Sequence, residues 1–385
     1  MAEWVERKIS DIGTVVGGAT PSTKKPENYE DGKIAWITPK DLSLFSGRYI
    51  ERGERNITET GLKSCSTQLL PKNAVLFSSR APIGYVAIAA NELCTNQGFK
   101  SVIPNENTDP LFLFYLLKYN KEIIERMGSG TTFKEVSGKT MKNIIVKVPT
   151  NKKVQEKISS ILDVIDDKIE KNQEINNNLE QQAQAIFKSW FIHFEPFGNQ
   201  KPSDWTVSTL GNVSIMSAGG DKPKNVSQTK TNLYKYPIYS NGLSDEGLYG
   251  FTDKPKISEE SVTVSARGTI GFVCLRHIPY VPIVRLVNLL PKAKIISAKY
   301  LYLYLKQLHI TGTGTTQQQL TVPDFQKTEI LVPSQEVISQ FTKTVNPIFE
   351  KIWANQIENE KLSQLRDNLL PKLMSGELDV SDIDL

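Results

Sequence analysis

Cysteine is scarce in this 385-residue chain, and Cys65, Cys94 and Cys274 stand far apart with no Cys-x-x-Cys pair. That spacing implies neither a disulfide framework nor a zinc knuckle. Histidine is equally rare, and His193, His277 and His309 match no metal-ligand spacing. His193 follows an aromatic run and reads as a packed or surface side chain. No apolar run approaches the ~18 residues of a membrane span. The start, Met1 to Arg7, lacks the apolar stretch of a signal peptide, so the expected compartment is the cytoplasm. A Gly-x-x-x-x-Gly-Lys-[Ser/Thr] phosphate loop is missing, as are an Asp/Asn-Pro-Pro-Tyr/Phe motif for amino methylation and a Gly-rich methyl-donor loop. The chain is therefore expected to be non-catalytic, with no catalytic residue, metal site or cofactor of its own.

What is present is a repetition. Gly128-Ser129-Gly130-Thr131-Thr132 recurs as Gly312-Thr313-Gly314-Thr315-Thr316. Each copy precedes a short apolar run ending in Val148-Pro149 or Val332-Pro333, and then a long heptad-spaced stretch. A strand–Arg–Gly element is also shared, Val75 to Val86 matching Val262 to Val273 with Arg80 against Arg267. The openings align as Ile9-Ser10-Asp11-Ile12-Gly13 on Val207-Ser208-Thr209-Leu210-Gly211. Short strand-like runs, turn-forming loops and one compact helix fill each copy, which reads as a mixed α/β lobe. Two similar lobes in one chain suit a partner that is itself pseudo-symmetric, and duplex DNA is the commonest such partner.

Charge follows the repeat. Residues 1–150 carry 20 Lys and Arg against 16 Asp and Glu, and residues 201–333 carry 15 against 9. The heptad-bearing stretches reverse the balance, 6 against 8 over 151–200 and 5 against 9 over 334–385. Basic lobes favour a polyanion, although such an excess is also common in proteins that never touch nucleic acid.

Alternating steps of four and three from Ile158 meet Leu162, Ile165, Ile169, Asn172, Asn176, Leu179, Ala183, Ile186 and Trp190. The same steps from Phe341 meet Val345, Ile348, Ile352, Asn355, Asn359, Leu362, Arg366, Leu369 and Leu373. A sustained seam of this kind predicts two long helices, and buried asparagines at matching places would fix register. Mutual antiparallel pairing is the simplest arrangement; separate docking of each helix on another protein is the alternative. Pro347 predicts a bend near residues 343–347. The first helix should run over roughly 154–191, about 57 Å at 1.5 Å per residue.

Ala185-Ile186-Phe187-Lys188-Ser189-Trp190-Phe191-Ile192-His193-Phe194-Glu195-Pro196 resembles the central conserved region of type I restriction–modification specificity subunits. Leu365-Arg366-Asp367-Asn368-Leu369-Leu370-Pro371-Lys372-Leu373-Met374 resembles that family's distal conserved region, and Asn96-Gln97-Gly98-Phe99-Lys100 and the Gly-x-Gly-Thr-Thr loops also match. Two features depart from it: each long helix is preceded by Pro149-Thr150-Asn151-Lys152 or Pro333-Ser334-Gln335-Glu336 rather than Pro-Pro-x-x-Glu-Gln, and the second lobe lacks a clear Asn-Gln-Gly-Phe copy.

The resemblance implies an α+β protein with two pseudo-symmetric target-recognition domains, 1–150 and 197–333. They are separated by a central conserved helix, 151–196, and a distal conserved helix, 334–378, that pair as an antiparallel coiled coil, with an acidic tail at 379–385. It implies a host-defence role in which each lobe recognises half of a bipartite double-stranded DNA site and the coiled coil sets the gap. Two adenine methyltransferase subunits would bind, joined in the full complex by two ATP-dependent restriction/translocase subunits. S-adenosylmethionine, ATP and Mg belong to those partners. A methyltransferase-only system and a coiled-coil scaffold that binds no DNA are the alternatives.

Candidate DNA contacts sort into phosphate and base-edge groups. Arg80 and Arg267 end equivalent strands, where an arginine can fork onto guanine, clamp a phosphate or bond loop carbonyls. Thr131, Thr132 and Lys134, with Thr315, Thr316 and Gln317, sit on small-residue loops that allow close approach to phosphate. Lys24, Lys25 and Asn28, and Lys222, Lys224, Tyr239 and Asn241, lie in polar loops expected to carry specificity. Asn172, Asn176, Asn355 and Asn359 are the register residues. Trp190, Phe191, Leu370, Leu373 and Met374 form apolar clusters that either dock methyltransferase or bury against the chain's own lobes.

Overall fold

A strand apolar on both faces belongs in the middle of a sheet, and Val75-Leu76-Phe77 is such a run, all three fully buried. The structure, a computed structural model, describes residues 3–43, 45–130, 134–312 and 318–380. It divides into two units, Met1–Glu174 with Gln356–Leu385, and Ile175–Asn355.

In the first unit the strands are β1 (Trp4–Lys8), β2 (Gly13–Gly17), β3 (Ile34–Ile37), β4 (Tyr49–Ile50), β5 (Arg55–Ile57), β6 (Val75–Ser79), β7 (Ile83–Ala89), β8 (Cys94–Thr95), β9 (Lys100–Pro104) and β10 (Ile145–Pro149). β1 pairs antiparallel with β10, bringing Trp4 opposite Pro149. A larger sheet runs β2-β9-β6-β7-β4 and a smaller one β5-β3-β8. Helix Pro110–Tyr119 starts at Asp109, whose carboxylate accepts the Phe112 amide at 2.7 Å, with proline in the first turn. Phe112 through Leu117 are all buried, as expected of a helix apolar all round.

The second unit repeats the plan with β11 (Thr206–Thr209), β12 (Ser214–Ala218), β13 (Tyr236–Tyr239), β14 (Leu248–Thr252), β15 (Ser261–Ser265), β16 (Val273–Arg276), β17 (Val281–Pro282), β18 (Leu286–Pro291) and β19 (Glu329–Val332). β11 pairs with β19, the larger sheet runs β12-β18-β15-β16, and the smaller one β14-β13-β17. Helix Ala298–Leu305, capped by Ser297, takes the place of Pro110–Tyr119. In both units the strand after the arginine turns on a glycine with positive φ, Gly84 at 98° and Gly271 at 84°, where a side chain would be strained.

The pairing corrects the alignment of the two openings. A four-residue helix follows β1 at Ile9–Ile12 and follows β11 at Leu210–Val213. Ile9 therefore matches Leu210, and Trp4 matches Trp205, three positions from the register that Ile-Ser-Asp-Ile-Gly suggested. Ile9, Ile12, Leu210 and Val213 are the buried residues of those turns, so burial and not residue likeness sets the match.

Two long helices, Lys152–Phe191 and Gln335–Ser375, pair antiparallel within each unit. In the first unit Asn172 Nδ2 donates to Asn359 Oδ1 at 2.8 Å and Arg366 Nη1 meets Asp166 Oδ1 at 2.7 Å. In the second, Asn355 Nδ2 donates to Asn176 Oδ1 at 2.8 Å. Pro347 does not end its helix, which runs uninterrupted from Gln335 to Ser375. Phe341, Val345 and Phe349 around it are buried in the core of the second unit. That packing outweighs the backbone bond the proline removes.

Candidate nucleic-acid interface

β6 and β15 carry the two arginines to equivalent places. The backbone at Ser79, just before Arg80, donates to Gly98 O at 2.7 Å and accepts the Val136 amide at 3.0 Å. At Ala266, just before Arg267, the partners are Arg285 O and the Leu320 amide, both at 2.8 Å. Each arginine thus stands beside the strand that leaves its Gly-Thr loop. A Cβ at Gly128 would lie 3.1 Å from the end of Ile83, and one at Gly312 would lie 2.9 Å from the end of Ile270. The isoleucines are matched residues, so both loops are seated on the same apolar ledge and need the missing side chain to sit there.

In the first unit the Gly-Thr loop closes through paired backbone bonds between Ser129 and Glu135, at 3.0 and 2.9 Å. Arg80 Nη1 lies 3.5 Å from Glu135 Oε2, and Lys100 Nζ 3.3 Å from Glu135 Oε1. Lys134 is exposed. Thr131 and Thr132, like Thr315, Thr316 and Gln317, lie outside the described residues. In the second unit Asn241 Nδ2 donates to Arg267 O at 2.7 Å, so Asn241 holds the loop that carries the arginine.

Lys24, Lys25, Lys222 and Lys224 are exposed, with Lys222 Nζ 3.4 Å from the Tyr249 hydroxyl. One other candidate is corrected by burial and a second is half-buried. Asn28 is 1% exposed; its side-chain amide donates to Ser22 O at 3.0 Å and its backbone carbonyl accepts the Thr58 amide at 3.0 Å, so it builds the loop rather than reaching a ligand. Tyr239 lies under the Arg276 guanidinium, 3.6 Å from its ring centroid, and burial raises its phenol above the ordinary range. That face of the ring is covered, while the side chain as a whole is half-buried.

The apolar clusters resolve towards the interior. Phe191 is 5% exposed and packs against Trp205, Tyr300 and Phe341. Leu373 and Met374, at 0% and 1%, belong to the core of the first unit. Trp190 and Leu370 are partly buried against the same cores. For Phe191, Leu373 and Met374 a role in docking methyltransferase therefore gives way to fastening the helices to the lobes, because buried side chains present no area to a partner, while Trp190 and Leu370 keep part of their surface.

One cluster went unread in the sequence. Arg48 is 4% exposed and faces Asp163, Asp167 and Glu170, with Nε 3.0 Å from Glu170 Oε1. Those acids occupy one face of the first long helix at spacings of four and three, a stripe that could have signalled a cationic partner. Beside it, Tyr115 donates to Asp166 Oδ2 at 2.8 Å. The network pins the first lobe to its helix.

The profile of the type I restriction–modification DNA specificity domain matches residues 1–181 and 202–365. The type I restriction enzyme MjaIX specificity subunit of Methanocaldococcus jannaschii is 34% identical over 421 residues, covering 99% of this chain and 95% of that protein. The HindI specificity subunit of Haemophilus influenzae is 27% identical over 472 residues, covering 98% and 100%. The crystal structure of a type I restriction–modification S subunit from M. genitalium shares the fold, with a TM-score of 0.59 at 19% identity over 97% of this chain and 96% of that one. This chain belongs to the specificity subunits of type I restriction–modification systems.

Proposed function

We propose that the chain recognises a bipartite double-stranded DNA site, one half through each lobe, and that the paired helices set the gap. The observation that supports this best is the duplicated ledge, where Arg80 and Arg267 each stand beside a Gly-Thr loop seated on a matched isoleucine. Arginine there can fork onto guanine or clamp phosphate, and the small residues let backbone amides come close to the duplex. Lys24, Lys25, Lys134, Lys222 and Lys224 supply phosphate contacts around it, while Thr131, Thr132, Thr315, Thr316 and Gln317 complete the loops.

The chain itself does no chemistry in this reading. Two adenine methyltransferase subunits would supply methyl transfer with S-adenosylmethionine, and restriction subunits would supply ATP- and Mg-dependent translocation. Exposed apolar side chains on the helices, Val164 at 69% and Leu365 at 48%, are suited to partner helices.

Binding of the full chain with its methyltransferase subunits to duplex libraries should select two short base patterns at a fixed separation. Affinity should fall steeply with salt, because each neutralised phosphate releases about 0.9 counterions. Selection of one continuous pattern, or an affinity indifferent to salt, would count against the proposal.

A further inference from the structure

The matched strand ends are not equally charged. Ser78 faces Phe99 in the first unit as Ser265 faces Leu286 in the second, so Gly98 and Arg285 occupy one position. The same ladder makes Gln319 the counterpart of Glu135, since each precedes the residue whose amide bonds the strand before the arginine. The first lobe thus sets Arg80 against a carboxylate at 3.5 Å and has glycine alongside. The second sets Arg267 beside an amide and adds a second arginine.

Arg285 holds φ at 75°, in the left-handed region that branched or long side chains rarely adopt. Its side chain is exposed, and its guanidinium has no partner among the described residues. Val284 next to it is 50% exposed. Lys256 Nζ comes within 3.2 Å of the place a Gly220 Cβ would take, and Gly220 bridges Ile283, two residues before Arg285. What this arginine gives the fold is its backbone carbonyl, which accepts the Ala266 amide; its guanidinium, carried at a strained φ, bonds to no described residue. Strain of this kind is kept where an external ligand uses the side chain.

We propose that Arg285 is a DNA-contacting residue of the second lobe with no counterpart in the first, giving a bidentate donor to acceptor oxygens or nitrogens of the duplex. This rests on the DNA-recognition reading above. The shared chemistry is an acceptor pair, found on the guanine O6/N7 edge and on phosphate.

The test is Arg285→Gly in the full chain with its methyltransferase subunits, assayed by equilibrium binding to the selected duplex. Glycine adopts this φ without strain, so the variant should fold at least as well as the wild type, as a thermal melt will show. Affinity should drop roughly tenfold. If a guanine is the target, the loss is confined to duplexes bearing one particular base pair and the salt slope is unchanged. If a phosphate is the target, the loss is uniform and the slope of log K against log salt shrinks by about 0.9. Arg285→Gly binding with wild-type affinity, base preference and salt slope overturns the inference. A wild-type complex that retains no duplex overturns the parent reading, and this inference with it.

Discussion

His277 lies flat on Trp353, ring centroids 4.1 Å apart and planes 14° from parallel. Burial, with Lys299 and Arg276 nearby, pushes its pKa down to about 4. The unfolded chain takes up this proton near pH 6.5 while the folded ring refuses it until about pH 4. Its contribution to stability is therefore whole above pH 6.5 and is lost as pH falls towards 4. Because the ring is partly open to water, the loss should be about 1–2 kcal/mol, less than the full shift implies. His277→Phe keeps the stack and removes the proton, so denaturation midpoints measured from pH 7 to 4 should fall less for the variant than for the wild type. Equal slopes would mean the ring titrates normally. At this scale the sequence was readable only in part. Lys24 and Lys222 could be placed on the surface by charge alone. Asn28 could not be placed inside, because polar loop residues look alike until their hydrogen-bond partners are known.

The helices were the most legible elements, because a seam sustained over many turns leaves few alternatives. The asparagines in that seam meet in pairs, Asn172 with Asn359 and Asn355 with Asn176. Replacing one partner strands a polar amide, whereas replacing both removes the need for a bond. Asn172→Leu should lower stability by about 1–2 kcal/mol, and Asn172→Leu with Asn359→Leu should recover most of it. Chemical denaturation in a double-mutant cycle checks this; additive losses would show that the pair does not interact. The strands were less legible. The strand–Arg–Gly match held because Gly84 and Gly271 both need positive φ. The openings mislead because Ile-Ser-Asp-Ile-Gly and Val-Ser-Thr-Leu-Gly look similar, and only the pairing of β1 and β11 with their last strands, with the helical turns that follow, fixes the register.

For the molecule as a whole, the duplication and the charge map are legible in the sequence and point to two basic lobes joined to long helices. The inequality of the lobes is not legible there, since Arg285 meets the strand end before Arg267 only through its backbone bond to Ala266. If the paired helices set the gap, adding one heptad to each should lengthen the preferred spacer by about three base pairs, since seven residues rise about 10.5 Å. Mapping methylated adenines made by the lengthened complex measures this, and an unchanged spacer would mean the helices do not act as a ruler.

The two lobes are also fastened by different forces. The first adds to its apolar core the ion pairs of Arg48 with three acids, of which Asp167 is 65% exposed and Asp163 and Glu170 are 31% and 29%. Rings of Phe187, Phe191, Trp205, Tyr300 and Phe341 hold the second. Added salt therefore acts on an ionic part of the first attachment, through its exposed Asp167, while cooling weakens the apolar packing in both. Brine would thus test the seat of one lobe before that of the other, whereas cold would test both.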